Sequence, residues 1–196
     1  MSLAGVQNLL ARLYTDPGLQ EDFFVDPAQA AREFHLSPAE VETVCQITKF
    51  QIRNFAGSLI QKRLSEVRKK LALTSQLLGK QFDRLFYQFV RNERCKGSRK
   101  HVGDCFDFSE FIISVAPRGG IEPWVIDLMG YEIVRIRAVY SKLAFRIYVS
   151  RYAIKDLMID MDKNSSLQGP RTRITIGVWI RLLPRKKLWH RLVQLF

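Results

Sequence analysis

Apolar residues recur at helical spacing through most of the first 140 positions and at alternate positions after that. Leu3, Val6, Leu10 and Leu13 fall on one face and predict a helix over 3–14. Asp16-Pro17 ends it, because proline restricts the residue before it and has no N–H to donate. A short apolar piece, Leu19 to Val25, follows. Asp26-Pro27 reads as an N-cap with proline in the first helical position and predicts a helix to Phe34. Ser37-Pro38 repeats that signal, with Glu40 placed three residues on as in a capping box. The longest helical stretch is 46–70, where Ile52, Phe55, Leu59, Leu64 and Val67 form a stripe. Leu77-Leu78-Gly79 reads as a helix end. A helix over 80–93 puts Phe82, Leu85, Phe86 and Phe89 on one side.

Residues 94–104 are basic and contain Gly97 and Gly103, which predicts a linker between a helical domain (1–93) and a smaller mixed domain (105–196). Beyond it we expect a helix over 106–115, a turn at Pro117 to Gly120, and a helix over 124–140. The period then changes to two in Phe145 to Val149 and in Ile174 to Arg181, which predict strands. Leu157 to Ile159 reads as a third, short strand, residues 162–170 as a polar turn-rich segment, and Lys186 to Phe196 as a terminal amphipathic helix. Helices followed by a short antiparallel sheet define an α+β fold with a helical N-terminal domain and a smaller mixed α/β C-terminal part.

Charge sharpens this picture. The 196 residues carry 31 Lys and Arg against 19 Asp and Glu, a net of +12. The excess is segregated: residues 49–100 hold fourteen basic residues and three acids, whereas residues 1–40 hold two and six. Lys62, Arg63, Lys69, Lys70, Arg94, Lys96, Arg99 and Lys100 are therefore candidates for contact with an anionic partner. A second cluster, Arg181, Arg185, Lys186, Lys187 and Arg191, interleaves with Trp179 and Trp189 and suits an anionic membrane surface or stacking on bases. The structural alternatives are a solvated helix face for the first cluster, and for the second a Trp179 buried in a strand with Trp189 packing the last helix onto it.

Chemical motifs are absent. The chain has no phosphate-cradling glycine loop, no G-x-S-x-G and no H-E-x-x-H. Three histidines offer little for general acid–base work. Cys95, His101 and Cys105 cluster, but their spacing makes no zinc pair. An odd cysteine count without C-x-x-C fits reduced thiols in a cytoplasm better than a disulfide framework. The start of the chain has no basic segment of secretory type, and no apolar run approaches the ~18–20 residues that span a bilayer. The expectation is a cytoplasmic protein that is not an enzyme and needs no cofactor or metal.

Leu10-x-x-Leu13-Tyr14-x-Asp16-Pro17, Asp26-Pro27, Phe34-x-Leu36-Ser37-Pro38 and Phe55-Ala56-x-Ser58-Leu59-x-x-Lys62-Arg63 together resemble the methanobactin-maturation partner protein family. These are accessory proteins of peptide-modifying iron oxygenases. Phe82, Phe86, residues Phe106 to Val115 and Asp127-Leu128-x-x-Tyr131-Glu132 are similar to that family's second helical section. The resemblance implies a helical N-terminal domain, described in the family as DNA-binding, before a smaller domain with strands. It also implies an adaptor that docks a protein or peptide partner, a metalloenzyme among them, while that enzyme does the chemistry. Nucleic-acid binding through the basic helix and loop is the first alternative, and attachment to a membrane surface through the tail is the second.

Overall fold

A computed structural model describes residues 3–92, 101–162, 169–182 and 187–195. The chain forms two compact units, Met1–Arg63 with Val90–Ser98, and Leu64–Phe89 with Arg99–Phe196. The expected linker at 94–104 lies for the most part outside the described residues. The stretch 64–89 belongs to the second unit.

The first unit contains α1 (Leu3–Leu13), α2 (Pro17–Val25), α3 (Pro27–Arg32), α4 (Pro38–Cys45) and the start of α5 (Lys49–Lys70). Its helices begin where the sequence carries side-chain acceptors for the free first-turn N–H groups. Asp16 accepts from the Gly18 and Leu19 amides at 3.1 and 3.2 Å, and Asp26 from the Gln29 amide at 2.9 Å. Glu40 accepts from the Ser37 amide and hydroxyl at 2.9 and 2.8 Å. Thr48 and Gln51 cap the start of α5 reciprocally, with Thr48 N to Gln51 Oε1 at 2.9 Å and Gln51 N to Thr48 Oγ1 at 3.2 Å. The core of this unit includes Leu9, Leu13, Phe23, Ala31, Val44 and Ile52.

The second unit takes the end of α5, α6 (Ala72–Leu78), α7 (Lys80–Asn92), α8 (His101–Gly119) and α9 (Pro123–Tyr140). The chain then enters β1 (Ala144–Tyr152), α10 (Ile154–Asp162), β2 (Thr172–Arg181) and β3 (Trp189–Gln194). Phe82, Phe86 and Phe89 of α7 surround Phe108 of α8, with ring centroids 5.2–5.5 Å apart.

A single helix, α9, closes the kink between α5 and α6. The buried Glu132 carboxylate accepts from Leu73 N at 2.9 Å, Thr74 N at 3.0 Å and Thr74 Oγ1 at 2.7 Å, which caps the start of α6. Arg135, on the next turn, donates to Lys70 O at the end of α5 at 3.3 Å. The other end of α9 is capped by Arg181 of β2, whose Nη1 donates to Val139 O and Ser141 O at 3.1 and 2.6 Å.

The sheet is antiparallel in the order β1-β2-β3. One face packs against α9 and α10 around Leu128, Tyr131, Leu157, Met161 and Trp179. Two close approaches set this packing. Gly130 of α9 faces Tyr148 of β1, whose hydroxyl donates to Asp127 O at 2.8 Å; a Cβ on residue 130 would lie 3.0 Å from Tyr148 Cζ. Gly177 lies beneath the Trp179 ring, and a Cβ there would stand 2.6 Å from the indole.

Three local expectations are corrected. Leu157 to Ile159 belong to a helix, because Ile154, Leu157 and Met161 repeat at intervals of three and four and bury together. The tail is a strand: His190, Leu192 and Gln194 alternate with Trp189, Arg191 and Val193, and pairing with the free edge of β2 satisfies its backbone. Pro117 sits inside the last turn of α8, where one intrahelical bond is forfeited, and Gly120 at φ +63° ends the helix instead.

Gly130→Ala should lower stability by about 1–3 kcal/mol in urea unfolding, since the added methyl displaces Tyr148. Combining it with Tyr148→Phe should cost less than the sum of the two single changes. Strict additivity would show that the helix–strand contact is not tight at this point.

Candidate functional site

The side of the sheet turned away from α9 and α10 carries nearly all of its branched aliphatic residues. Directly opposed residues of antiparallel strands share a face, so the register defines rows across it. Phe145, Ile180 and Trp189 form the first row, Ile147, Val178 and Arg191 the second, and Val149, Ile176 and Val193 the third. Ile174 and Leu195, joined by a bond from Leu195 N to Ile174 O, continue beyond them. The outer-strand residues and Ile174 are strongly exposed, from 40% for Val193 to 63% for Phe145. Ile176, Val178 and Ile180 of the central strand are half-buried between them. Phe145, Ile147, Val149, Ile174, Trp189, Val193 and Leu195 together make a contiguous exposed apolar patch, the kind of feature that marks an interaction site.

The opposite face is the less apolar of the two. Ala144, Tyr148 and Ser150 of β1 and Thr175, Gly177 and Trp179 of β2 point to the helices. Trp179 stacks on His190 at 4.9 Å between ring centroids, and Tyr131 Oη lies 3.4 Å from His190 Nε2. Burial, with Arg135 nearby, lowers the His190 pKa, and burial raises that of Tyr131. Asp127 accepts from Ser150 Oγ at 2.8 Å and Arg151 N at 3.0 Å, at the irregularity between Ser150 and Tyr152. These polar groups hold one another and the backbone in place.

The first predicted basic cluster divides between the two units. Lys62 and Arg63 lie in the first, Lys62 exposed and Arg63 half-buried. Lys69 and Lys70 lie in the second, where both reach Glu66, at 2.9 and 3.5 Å. The Lys69 hydrogen bond leads the effects that hold the exposed Glu66 carboxyl below its ordinary value. Arg68 pairs with Asp83. Of the acidic N-terminal residues, Asp16 pairs with Arg12 at 3.1 Å. Arg94, Lys96, Arg99 and Lys100 lie outside the described residues. In the second cluster, Trp189 and Arg191 are exposed on the outer sheet face, Lys187 is exposed just before β3, and Arg181 caps α9; Arg185 and Lys186 lie outside the described residues.

Cys105 is fully buried in α8, and burial pushes its thiol up to about 12, which keeps it protonated and unreactive. No group of three or more His, Cys, Asp or Glu side chains is arranged to hold a metal ion among the described residues. No helix among them is long and apolar enough to cross a membrane. The first unit carries a shallow groove of about 560 Å³ lined by Leu10, Tyr14, Ile47, Phe50 and Phe55, with the Tyr14 and Phe55 rings 4.2 Å apart.

The outer sheet face is not evident from the pattern of residues alone. Alternation in β1 and β2 shows which residues share a face, and apolarity alone would turn the Ile/Val set inward. The signal that inverts this is Gly177 two residues before Trp179, a strand glycine that makes room for a ring packed on the same side.

No protein-family model and no curated protein matches the chain.

Glu132 generates a pH prediction. Burial raises its carboxyl pKa and outweighs the lowering effect of the three donors from Leu73 and Thr74. A carboxyl with a raised folded pKa gives its full stabilisation below the unfolded value, and that contribution diminishes as pH rises through the folded one. The stability of the native protein relative to Glu132→Gln should therefore fall with rising pH over a window that opens at the ordinary glutamate value, about 4.3, and extends upward. A difference that is flat across this window would contradict the account. Glu132→Ala should cost roughly 2–4 kcal/mol at neutral pH, because it strands three donors.

Proposed function

We propose that this chain is a non-catalytic adaptor of the cytoplasm that docks a protein or peptide partner on the outer face of its C-terminal sheet, as an accessory to a modifying enzyme. One observation carries the reading. The sheet presents its more apolar face to solvent, with three rows of Ile, Val, Phe and Trp side chains around Arg191. An exposed face of this size holds its place in a protein by being covered when the protein works.

Two further considerations favour a binding role. Asp127, Glu132 and His190 are engaged in structural contacts, and Cys105 is buried and protonated. An accessory role is also what the likeness to the methanobactin-maturation partner family implies. Nucleic-acid binding through the basic helix has weaker support, because Lys69 and Lys70 share Glu66 and Arg68 is paired with Asp83.

A photoreactive amino acid placed at residue 147 should give one discrete cross-linked product in native cells. Adding Val149→Asp should abolish that product, and the same probe at the exposed helical position 76 should give none. No product at 147, or equal yields at both positions, would contradict the docking reading.

A further inference from the structure

We propose that the occupant of the outer sheet face is an amphipathic helix of a partner protein, apolar along one stripe and acidic beside it. This rests on the docking reading above and narrows it to one kind of ligand. Dimensions are the first support. From the Phe145–Trp189 row to Ile174 and Leu195 the face runs about six strand residues, or ~20 Å. A helix of about 14 residues has that length. A helix laid along β2 would cover the half-buried central residues and reach the exposed side chains of both outer strands. The other face of the same sheet is already covered by α9 and α10, so a helix laid here completes a three-layer arrangement.

Charge is the second support. The three strands carry Arg146, Arg151, Arg173, Arg181 and Arg191 and no acidic residue. Arg181 is committed to the end of α9; Arg146, opposite Trp179, and Arg173, two residues before Thr175, lie on the helix side of the sheet, and Arg151 follows Ser150 at the irregularity, which leaves Arg191 as the exposed cation among the outer rows. Arg191 stands in the second row, directly opposite Val178, with apolar residues in the rows on either side. That position separates the three occupants the face would otherwise accept. A second copy of this chain would bring another Arg191 to the face, with no acid there to pair either one. A lipid surface would take the apolar rows while Arg191 reached back to the headgroups, and it offers that guanidinium no fixed partner among those rows. A helix meets Arg191 with one Asp or Glu in a bidentate pair and leaves its apolar stripe for the rows around it.

The test is a selection on the full-length protein from displayed peptides of about 14 residues, with apolar residues fixed at three- and four-residue spacing and all other positions randomised. The expected result is enrichment of Asp and Glu beside the stripe. Selected peptides should bind at least about tenfold more weakly to Ile147→Asp and to Arg191→Glu, with circular dichroism showing both variants folded. Enrichment without an acidic bias, binding indifferent to both substitutions, or no enrichment would overturn the inference. So would tight association with phosphatidylserine vesicles, or a dimer in sedimentation that Ile147→Asp dissolves, if acidic peptides are not enriched. Any of these results beside an intact cross-link at residue 147 removes the helical ligand alone. Loss of that cross-link as well removes the docking reading with it.

Discussion

The indole of Trp179 lies over Gly177, and that contact decides which face of the sheet is inside. Strand side chains alternate, so turning Trp179 toward α9 sends Ile174, Ile176, Val178 and Ile180 the other way. Residue 177 has no side chain to oppose the ring, and Tyr131 and His190 pack around it. The inner face is assembled from Trp, Tyr, Gly, Ser and Thr, a mixture that succeeds because one large ring fills the space and the hydroxyls find partners. Thr175 Oγ1 donates to Tyr152 O at 2.8 Å, and Ser150 Oγ to Asp127. The aliphatic residues are left outside as a consequence, and their exposure is the source of the binding function proposed here.

The same face is held steady by α9, which touches the end of α5, α6, α8 and the sheet. Glu132 caps α6, Arg135 satisfies the end of α5, Gly130 admits Tyr148, and the C-terminal carbonyls receive Arg181 from the central strand. These are polar contacts in buried or half-buried surroundings, where a lost partner leaves a costly unsatisfied group. A rigid sheet follows. A docking surface built on it presents its rows with little ordering left to do when a ligand arrives, which lowers the entropic cost of binding.

Much of this was legible before any coordinates. Helix-start signals at Asp26-Pro27 and Ser37-Pro38 mark real helix starts, Asp16-Pro17, read as a helix end, also opens α2, and the change of period after residue 140 marks the sheet, so the α+β class followed from local chemistry. What escaped was set by tertiary contacts. The six residues of β3 contain His190, Arg191 and Gln194, and only pairing with β2 makes them a strand. Leu157 to Ile159 looks extended when read as an apolar triplet and helical when Ile154 and Met161 are counted. The candidate surface was half visible: Trp189 and Arg191 were singled out for their chemistry, but the Phe145, Ile147 and Val149 row was not, because a strand's apolar side is ordinarily its inner one. The local clue that a larger ring claims the inside is Gly177, two residues before Trp179. The basic helix, conspicuous in the sequence, is quieter in the structure, with Glu66 and Asp83 answering part of its charge.

Hydroxyl-radical footprinting, run once on the purified protein and once in native cells, tests the central claim most directly. Phe145 and Trp189 should be strongly oxidised in the purified chain and protected in cells, while Trp179 stays unmodified in both. Protection of Phe145 and Trp189 already in the purified chain, or equal oxidation in the two settings, would contradict an uncovered face that awaits a partner.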